Sequence, residues 1–321
     1  MPVGSADKGV GLWAGQVMLS LDNANQYIDW WHEALPSSSE GFDHNGTLTS
    51  IMISPSVTIG LSNYWNVTIT QILGVRGMTW GGKGESIHHR NESSVSNFVN
   101  ARGGVLGDTR VLFRYLFYND GAGAGKRLFV GGGMVVPSKN TLTSDPFFLN
   151  NEDKVDHRHF SISQGSYKGI FELQYYKKRL VSPVFVGGSL TIEEPVGENK
   201  YGYKDSRLYD ASVTWLSKTV KNLPVSFGGN LALRHTTRAY WNGAPSPNSK
   251  ATIFSPGVSL LWNHSIGNLA FGLQRPIFLS GGLAGTDSED LDQRLNAWQI
   301  SISYRRVLST VLPWLDPLKQ N

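Results

Sequence analysis

The sequence has no cysteine among its 321 residues. This absence excludes disulfides, thiolate metal sites and cysteine nucleophiles, and it fits an envelope protein better than a thiol enzyme. Long apolar runs are also missing, because no stretch approaches about 18 uninterrupted apolar residues, and helical membrane spans are thereby excluded. The net charge is only +4 and the pI about 9.1. A charge this small and diffuse gives no reason to expect nucleic-acid binding.

The amino terminus lacks the pattern of a secretory signal. The opening MPVGSADKGV has neither a basic n-region nor an apolar h-region. If the protein is exported, we expect its native signal to have been cleaved or replaced.

What the sequence does contain is a repeated alternation of apolar and polar residues. In SYKGIFELQYYKK (166–178) one face holds Gly169, Phe171, Leu173 and Tyr175, and the other holds Lys168, Glu172, Gln174 and Tyr176. Side chains of a strand alternate in this way with a period of two. The segments LPVSFGGNLALR (223–234) and NAWQISISYRR (296–306) show the same pattern. Each segment is therefore predicted to be a strand with one apolar and one polar face.

Twelve such strands can be placed along the chain, and their connections alternate between short and long. The strands are predicted at approximately 10–21, 47–61, 65–78, 107–118, 127–138, 166–178, 183–193, 207–219, 224–238, 250–263, 268–279 and 295–307. The long connections are 22–46, 79–106, 139–165, 194–206, 239–249 and 280–294. Short periplasmic turns that alternate with long external loops are typical of outer-membrane barrels. A soluble β-sandwich is not expected to alternate short and long connections in this way. We predict an all-β, up-and-down antiparallel transmembrane β-barrel over residues 1–308, with a periplasmic tail at 309–321.

Aromatic residues fall near many of the predicted strand ends. Trp65, Trp80, Tyr115 and Trp262 are examples. Flat amphipathic rings favour the headgroup level of a bilayer, so these residues suit two interfacial girdles. A soluble core also uses aromatic residues and is the alternative interpretation.

The polar faces of the strands supply candidate pore-lining residues. A cation that faced lipid at the bilayer midplane would cost ~2 to 4 kcal/mol, so charged strand residues should point inward. One interpretation is an anion-favouring or constricted pore, and the other is a salt-bridged network that plugs a narrow barrel. The predicted pore-lining residues are Arg76, Arg110, Arg114, Lys168, Glu172, Asp210, Arg234 and Arg305.

Two apolar segments outside the predicted strands are candidate contact sites. Tyr27, Trp30 and Trp31 lie in the predicted loop 22–46, where they could cover the pore, bind a hydrophobic ligand or pack against other loops or lipopolysaccharide. Trp314 and Leu315 belong to an apolar tail in which two prolines oppose a long helix. That tail could plug the periplasmic mouth or dock on a protein partner.

Metal binding and catalysis receive little support from the sequence. The pairs His88–His89 and His157–His159 lack a third ligand at a defined spacing, so solvated loop residues are the favoured interpretation. His264 and Ser265 are adjacent, and neighbouring strand residues point to opposite faces, so we do not expect the hydrogen bond that activates a nucleophile. We predict no metal, no cofactor and no enzymatic activity.

Two segments resemble a known family. GDTRVLFRYLFYNDGAGAGKRLFVGGGMVVPSKN (107–140) and GSYKGIFELQYYKK (165–178) are similar to the bacterial outer-membrane β-barrel family of meta-pathway phenol-degradation and transporter proteins. The family usually closes its second strand with Pro-Thr/Ser-Gly, whereas Lys139 and Asn140 stand near that point here. The resemblance implies an outer-membrane barrel that passes hydrophobic or aromatic compounds, and it carries no residue roles to transfer.

The sequence therefore supports two functional hypotheses. The first is an outer-membrane channel for passive passage of small molecules, including hydrophobic or aromatic ones. The second is a non-conducting barrel that anchors an envelope complex through its loops and tail. The expected partners are outer-membrane lipid, lipopolysaccharide, a small-molecule solute and a protein at the periplasmic tail, with no nucleic acid.

Overall fold

A computed structural model describes residues 12–34, 40–84, 86, 89, 91–95, 104–120, 123–146, 159–282 and 292–316. Long antiparallel strands account for most of these residues. They are β1 (Gln16–His32), β2 (His44–Gly60), β3 (Trp65–Trp80), β5 (Leu106–Asn119), β6 (Gly125–Val136), β7 (Lys168–Lys178), β8 (Phe185–Pro195), β10 (Leu208–Leu216), β11 (Val225–Thr236), β14 (Ala251–His264), β15 (Gly267–Gln274) and β17 (Gln293–Val311). Five shorter segments are β4 (Glu92–Ser93), β9 (Tyr203–Lys204), β12 (Tyr240–Trp241), β13 (Ala244–Pro245) and β16 (Ile277–Ser280).

The long strands close into a barrel of twelve. Each pairs antiparallel with its neighbours in the chain, and β1 pairs with β17 along almost its full length, which joins the two ends of the sheet. β16 continues β15 beyond Pro276, which cannot donate a ladder hydrogen bond, and it still pairs with β14. The predicted twelve-stranded antiparallel barrel is therefore confirmed. No helix of the described residues is long and apolar enough to cross a bilayer.

The two ends of the barrel differ in their connections. At one end the links are short, at 61–64, 120–124, 179–184, 217–224 and 265–266. At the other end the strands are joined through 33–43, 81–105, 137–167, 196–207, 237–250 and 281–292, and β9, β12 and β13 pair there as a small separate sheet. We call these the short-turn end and the long-loop end.

The two faces of the barrel wall also differ. Outward positions carry exposed apolar side chains such as Leu19, Phe171 and Ile300. Inward positions are mostly polar and buried, as at Thr58 and Ser301. A soluble protein shows the reverse, and an apolar exterior around a polar interior is the arrangement of membrane barrels.

The predicted loop 22–46 is wrong, because β1 runs to His32 and β2 starts at His44. The polar run Asp22 to Gln26 suggested a loop, yet its backbone is paired on both sides, with β2 and with β17. Two of its side chains also bond to each other within the wall, since the Asn25 amide donates to Asn23 Oδ1 at 2.6 Å. The connection between these strands is therefore only 33–43.

Two further predictions need correction. β17 extends to Val311, so residues 309–311 belong to the barrel and not to the tail. Trp80 does not join an outer girdle, because it turns toward Trp30 and His89 at the long-loop end. Trp65, Tyr64 and Trp262 do lie exposed on the outer surface.

Candidate functional site

The strand register places all eight predicted pore-lining residues on the inward face of the wall. Arg110 and Arg114 of β5 share that face with Lys168 and Glu172 of β7. Asp210 pairs directly with Arg234 across β10 and β11. Arg76 and Arg305 lie at inward positions of β3 and β17. Their part in passing a solute stays a prediction.

One ion pair links β5 and β7 across the intervening strand β6, about halfway along the strands. Arg114 Nε donates to Glu172 Oε1 at 2.5 Å, and its Nη1 donates to the Thr68 hydroxyl at 2.9 Å. The strand between them, β6, presents Gly131 to both partners. A Cβ at Gly131 would lie 3.3 Å from Glu172 Cβ and 3.4 Å from Arg114 Cγ. The missing side chain therefore makes room for the charged pair.

The remaining predicted charges also have partners. Arg234 Nη2 lies 2.8 Å from Asp210 Oδ2, and Arg305 Nη2 lies 3.6 Å from Asp22 Oδ1. Arg110 contacts Glu193, and Lys168 contacts Asp205 of the segment after β9. Arg76 instead donates to the Ser161 carbonyl at 3.4 Å. Apart from Arg76, the predicted cations are thus paired with carboxylates, which favours the salt-bridged interior over a ring of cations selecting anions.

One side of the inner wall carries an apolar strip. Toward the long-loop end it consists of Leu112, Val135 and Ile170, and below the Arg114–Glu172 pair it continues in Phe129, Tyr176, Phe185 and Leu216. Tyr176 stacks on Phe185 with ring centroids 5.4 Å apart. The Tyr176 hydroxyl donates to Gln174 Oε1 at 2.6 Å, so its one polar atom is satisfied. We call this set of seven residues the apolar strip.

The wall opposite the apolar strip is lined by small hydroxyl residues. β17 stands six strands away from β7 in the ring of twelve, which places it across the lumen. Its inward residues Ser301 and Ser303 are buried, as are Ser20 of the adjoining strand β1 and Thr58 of the next strand, β2. The lumen therefore joins an apolar side to a hydroxyl-rich side. Burial of these side chains also means that the lumen is narrow at mid-height.

A cavity of about 820 Å³ opens among the loops of the long-loop end. Tyr167, Val196 and Tyr201 line it together with Lys139 and Lys200. Its volume is within the range of small-molecule sites. Its lining residues all belong to the connections 137–167 and 196–207.

The loops beside this cavity are held by a buried aromatic cluster. Tyr203 and Trp241 pack with ring centroids 4.9 Å apart, over the fully buried Ala239. Burial raises the pKa of the Tyr203 phenol well above its usual value, and the Asp205 carboxylate adds to the effect. The phenol therefore stays protonated and donates to Asp205, which in turn holds Lys168 of the barrel wall.

The remaining predicted contact residues lie apart from one another. Trp30 of β1 is buried on the inward face, whereas Tyr27 and Trp31 occupy outward positions of the same strand. The three therefore do not form one loop site. Trp314 is 69% exposed beyond β17, so neither it nor the partly buried Leu315 fills the lumen as a plug. Docking of the tail on a partner stays a prediction.

The His264–Ser265 pair differs from expectation. The Ser265 hydroxyl lies 3.5 Å from His264 Nδ1, because His264 is the last residue of β14 and Ser265 already belongs to the turn, where strand alternation does not apply. The pair is exposed at the short-turn end, and the backbone N–H of Ile266 also donates to the same Nδ1. A contact at this distance, shared with a backbone donor, is a poor arrangement for activating a nucleophile.

Sequence reasoning missed several functional candidates. Asp22, Glu193 and Asp205 supply counter-charges to the predicted cations, yet Asp22 and Asp205 fell in predicted loops. His32, His44 and Glu40 meet His89 at the long-loop end. Of the histidine pairs considered, His88 and His157 lie outside the described residues. No alternation of apolar and polar residues marks Asp22 to His32 as a strand, so periodicity could not have placed Asp22 or His32 in the wall.

The closed wall, the apolar exterior and the two unlike ends define a β-barrel of the outer-membrane type. Among solved structures the chain is similar to an outer-membrane channel from Pseudomonas putida F1, with a TM-score of 0.60 and 10% sequence identity, over 94% of this chain and 97% of that chain. At this identity the likeness shows the fold alone.

Other solved structures are less similar to this chain, and no conclusion about it is drawn from them. They include a FadL homologue from Pseudomonas aeruginosa, with a TM-score of 0.42 and 9% identity over 91% of this chain and 90% of that one. The P. putida toluene transporter TodX has a TM-score of 0.40 and 8% identity, over 92% and 90%. No family model and no curated protein matches the chain. The resemblance to phenol-degradation barrels is thus confirmed only as far as the outer-membrane type of barrel.

Proposed function

We propose that the protein is a bacterial outer-membrane channel for passive passage of small hydrophobic or aromatic molecules. The observation that carries this proposal is the apolar strip on the inner wall of a closed barrel. A barrel that only needed to fill its interior could do so with paired polar residues alone. The buried cluster that includes Phe129, Tyr176 and Phe185 instead gives the inner wall an apolar side.

The apolar strip and the hydroxyl-rich wall opposite it together indicate which class of solute would fit the lumen. The apolar strip suits a ring or a short alkyl chain, and the serines of β17 can donate to or accept from one polar substituent. A small aromatic molecule with a hydroxyl group has both features. Lipid of the outer membrane would surround the barrel, and the long-loop end would face lipopolysaccharide and the exterior.

The experiment measures the uptake of phenol and toluene by Gram-negative cells that do or do not express the protein. Heat-modifiable migration on gels establishes the amount of folded barrel in each preparation. Faster uptake with the protein is the expected result, because intact lipopolysaccharide slows the entry of apolar solutes. Equal uptake at high levels of folded barrel would contradict the channel.

A second candidate is a non-conducting barrel that anchors an envelope complex. The buried, ion-paired side chains at mid-height favour it, since they narrow the lumen. The exposed Trp314 beyond β17 offers a contact surface for a partner. Equal uptake in the experiment above, together with loss of a copurifying partner after deletion of 312–321, would support this candidate.

A further inference from the structure

Three histidines converge at the long-loop end of the barrel. His32 is the last residue of β1 and His44 the first of β2, and the register pairs them directly. His89 comes from the connection after β3 and joins them, so that one ligand atom of each lies within 4.8 Å of the other two. Strand pairing thus brings together two imidazoles from different strands, and a loop adds the third.

The cluster is buried against aromatic side chains. His32 is 1% exposed and His44 is 2% exposed. His89 stacks on Trp80 with ring centroids 5.5 Å apart and an interplanar angle of 14°, and it lies 4.9 Å from Trp30. Neutral imidazole offers the lone pair that a metal ion requires.

Hydrogen bonds orient the rings. His32 Nδ1 lies 2.7 Å from the Glu33 carbonyl, which fixes Nδ1 as the donor and leaves Nε2 as the acceptor. Glu40 Oε2 lies 3.0 Å from His44 Nε2. Ser86 donates to the same carboxylate oxygen at 2.8 Å and accepts from the backbone N–H of His89 at 2.9 Å, which positions the His89 backbone beside Glu40. Carbonyl and carboxylate partners of this kind orient the histidines of metal sites.

We propose that His32, His44 and His89 bind a divalent transition-metal ion, with Zn²⁺ as the first candidate. Three imidazoles suit zinc, copper and nickel, whereas calcium and magnesium prefer oxygen ligands. Glu40 either orients His44 or supplies the fourth ligand. The bound ion would fasten β1, β2 and the connection after β3 to one another at the mouth of the barrel. This site is independent of the proposed transport function.

The test uses the full chain in detergent, free of any affinity tag and stripped with a chelator. Co²⁺ is titrated and its visible absorption bands are recorded, and Zn²⁺ is then added as the competitor. The variants are His89→Ala and, as the matched control, His264→Ala, which removes an exposed histidine at the opposite end of the barrel. Folding of each variant is established by heat-modifiable migration.

The expected result is one equivalent of metal in the wild type and in His264→Ala, with tetrahedral Co²⁺ bands that Zn²⁺ removes. His89→Ala should bind about 100-fold more weakly or worse, since it loses a direct ligand. Zn²⁺ should raise the melting temperature of the wild type and of the control, but not that of His89→Ala. Lack of stoichiometric binding, or equal affinity in His89→Ala and the control, would overturn the proposal. If His89→Ala does not fold, His89→Gln replaces it under the same criteria.

Discussion

Gly131 illustrates how a single residue arranges the interior of this barrel. It is the inward residue of β6 between Arg114 and Glu172, and its lack of a side chain lets the two charges meet across a strand. The Arg114 side chain is 4% exposed and that of Glu172 is 9% exposed. A buried ion pair contributes little beyond an apolar pair of the same size, but removal of one partner leaves a buried charge uncompensated.

This asymmetry predicts the behaviour of variants at the pair. Glu172→Leu should destabilise the barrel by about 3 to 5 kcal/mol, because Arg114 is left buried without its carboxylate. The double variant Arg114→Met with Glu172→Leu should recover most of that loss. Urea unfolding in lipid vesicles, followed by tryptophan fluorescence, measures both. Equal destabilisation in the single and double variants would show that the pair is not the buried unit described here.

At the residue scale, the sequence predicted the face of each charge but not its partner. Alternation placed Arg114, Glu172 and Arg234 inward, and the register agrees. The contacts between them depend on which residues the register aligns, and on a glycine in the intervening strand. That Asp205 contacts Lys168 depends on loop conformation, which no periodicity encodes.

At the element scale, β1 is where prediction and structure differ most. The strand was predicted to end near residue 21, because Asp22 to Gln26 is polar on both faces. In the barrel, inward Asp22 meets Arg305, and outward Asn23 and Asn25 bond to each other and to the Met52 carbonyl. A polar run can therefore remain a strand when its backbone is paired on both sides and several of its side chains find partners within the wall.

The absence of cysteine makes this element directly testable. Single cysteines at Asn25, Gln26, Tyr27 and Ile28 can each be labelled with a polarity-sensitive fluorophore, and the cysteine-free wild type is the control for nonspecific labelling. In vesicles containing lipid-borne quenchers, the labels at 25 and 27 should be quenched and those at 26 and 28 should not, because strand neighbours face opposite sides. Uniform exposure to water at all four positions is the result expected of a loop instead.

At the scale of the whole molecule, the architecture was the most predictable property. Alternation within segments and alternation of loop lengths between them are both long-range patterns, and together they specified twelve antiparallel strands. The state of the lumen was not predictable in the same way. Whether side chains fill it depends on their packing across the barrel, for example of Tyr176 on Phe185, and not on any single segment.

Because buried side chains fill the middle of the lumen, we predict that the barrel conducts ions poorly. Sixteen-stranded porins enclose an aqueous channel, whereas twelve strands leave a narrower interior, and here that interior holds buried side chains such as Arg114 and Gln174. Planar-bilayer recordings of the folded protein should show conductance far below that of a sixteen-stranded porin. A large and persistent conductance in most insertions would be incompatible with the described lumen.

The central claim is that small apolar solutes cross through the lumen, and a pair of adjacent tryptophan substitutions tests it most directly. Ser212 faces the lumen and contacts Ser189 at 2.8 Å, whereas Val213 is 49% exposed on the outer face. Uptake of toluene is measured in cells with equal amounts of folded wild type, Ser212→Trp or Val213→Trp. We expect Ser212→Trp to lower toluene uptake to the level of cells without the protein and Val213→Trp to leave it unchanged. Undiminished uptake through Ser212→Trp would contradict passage through the lumen.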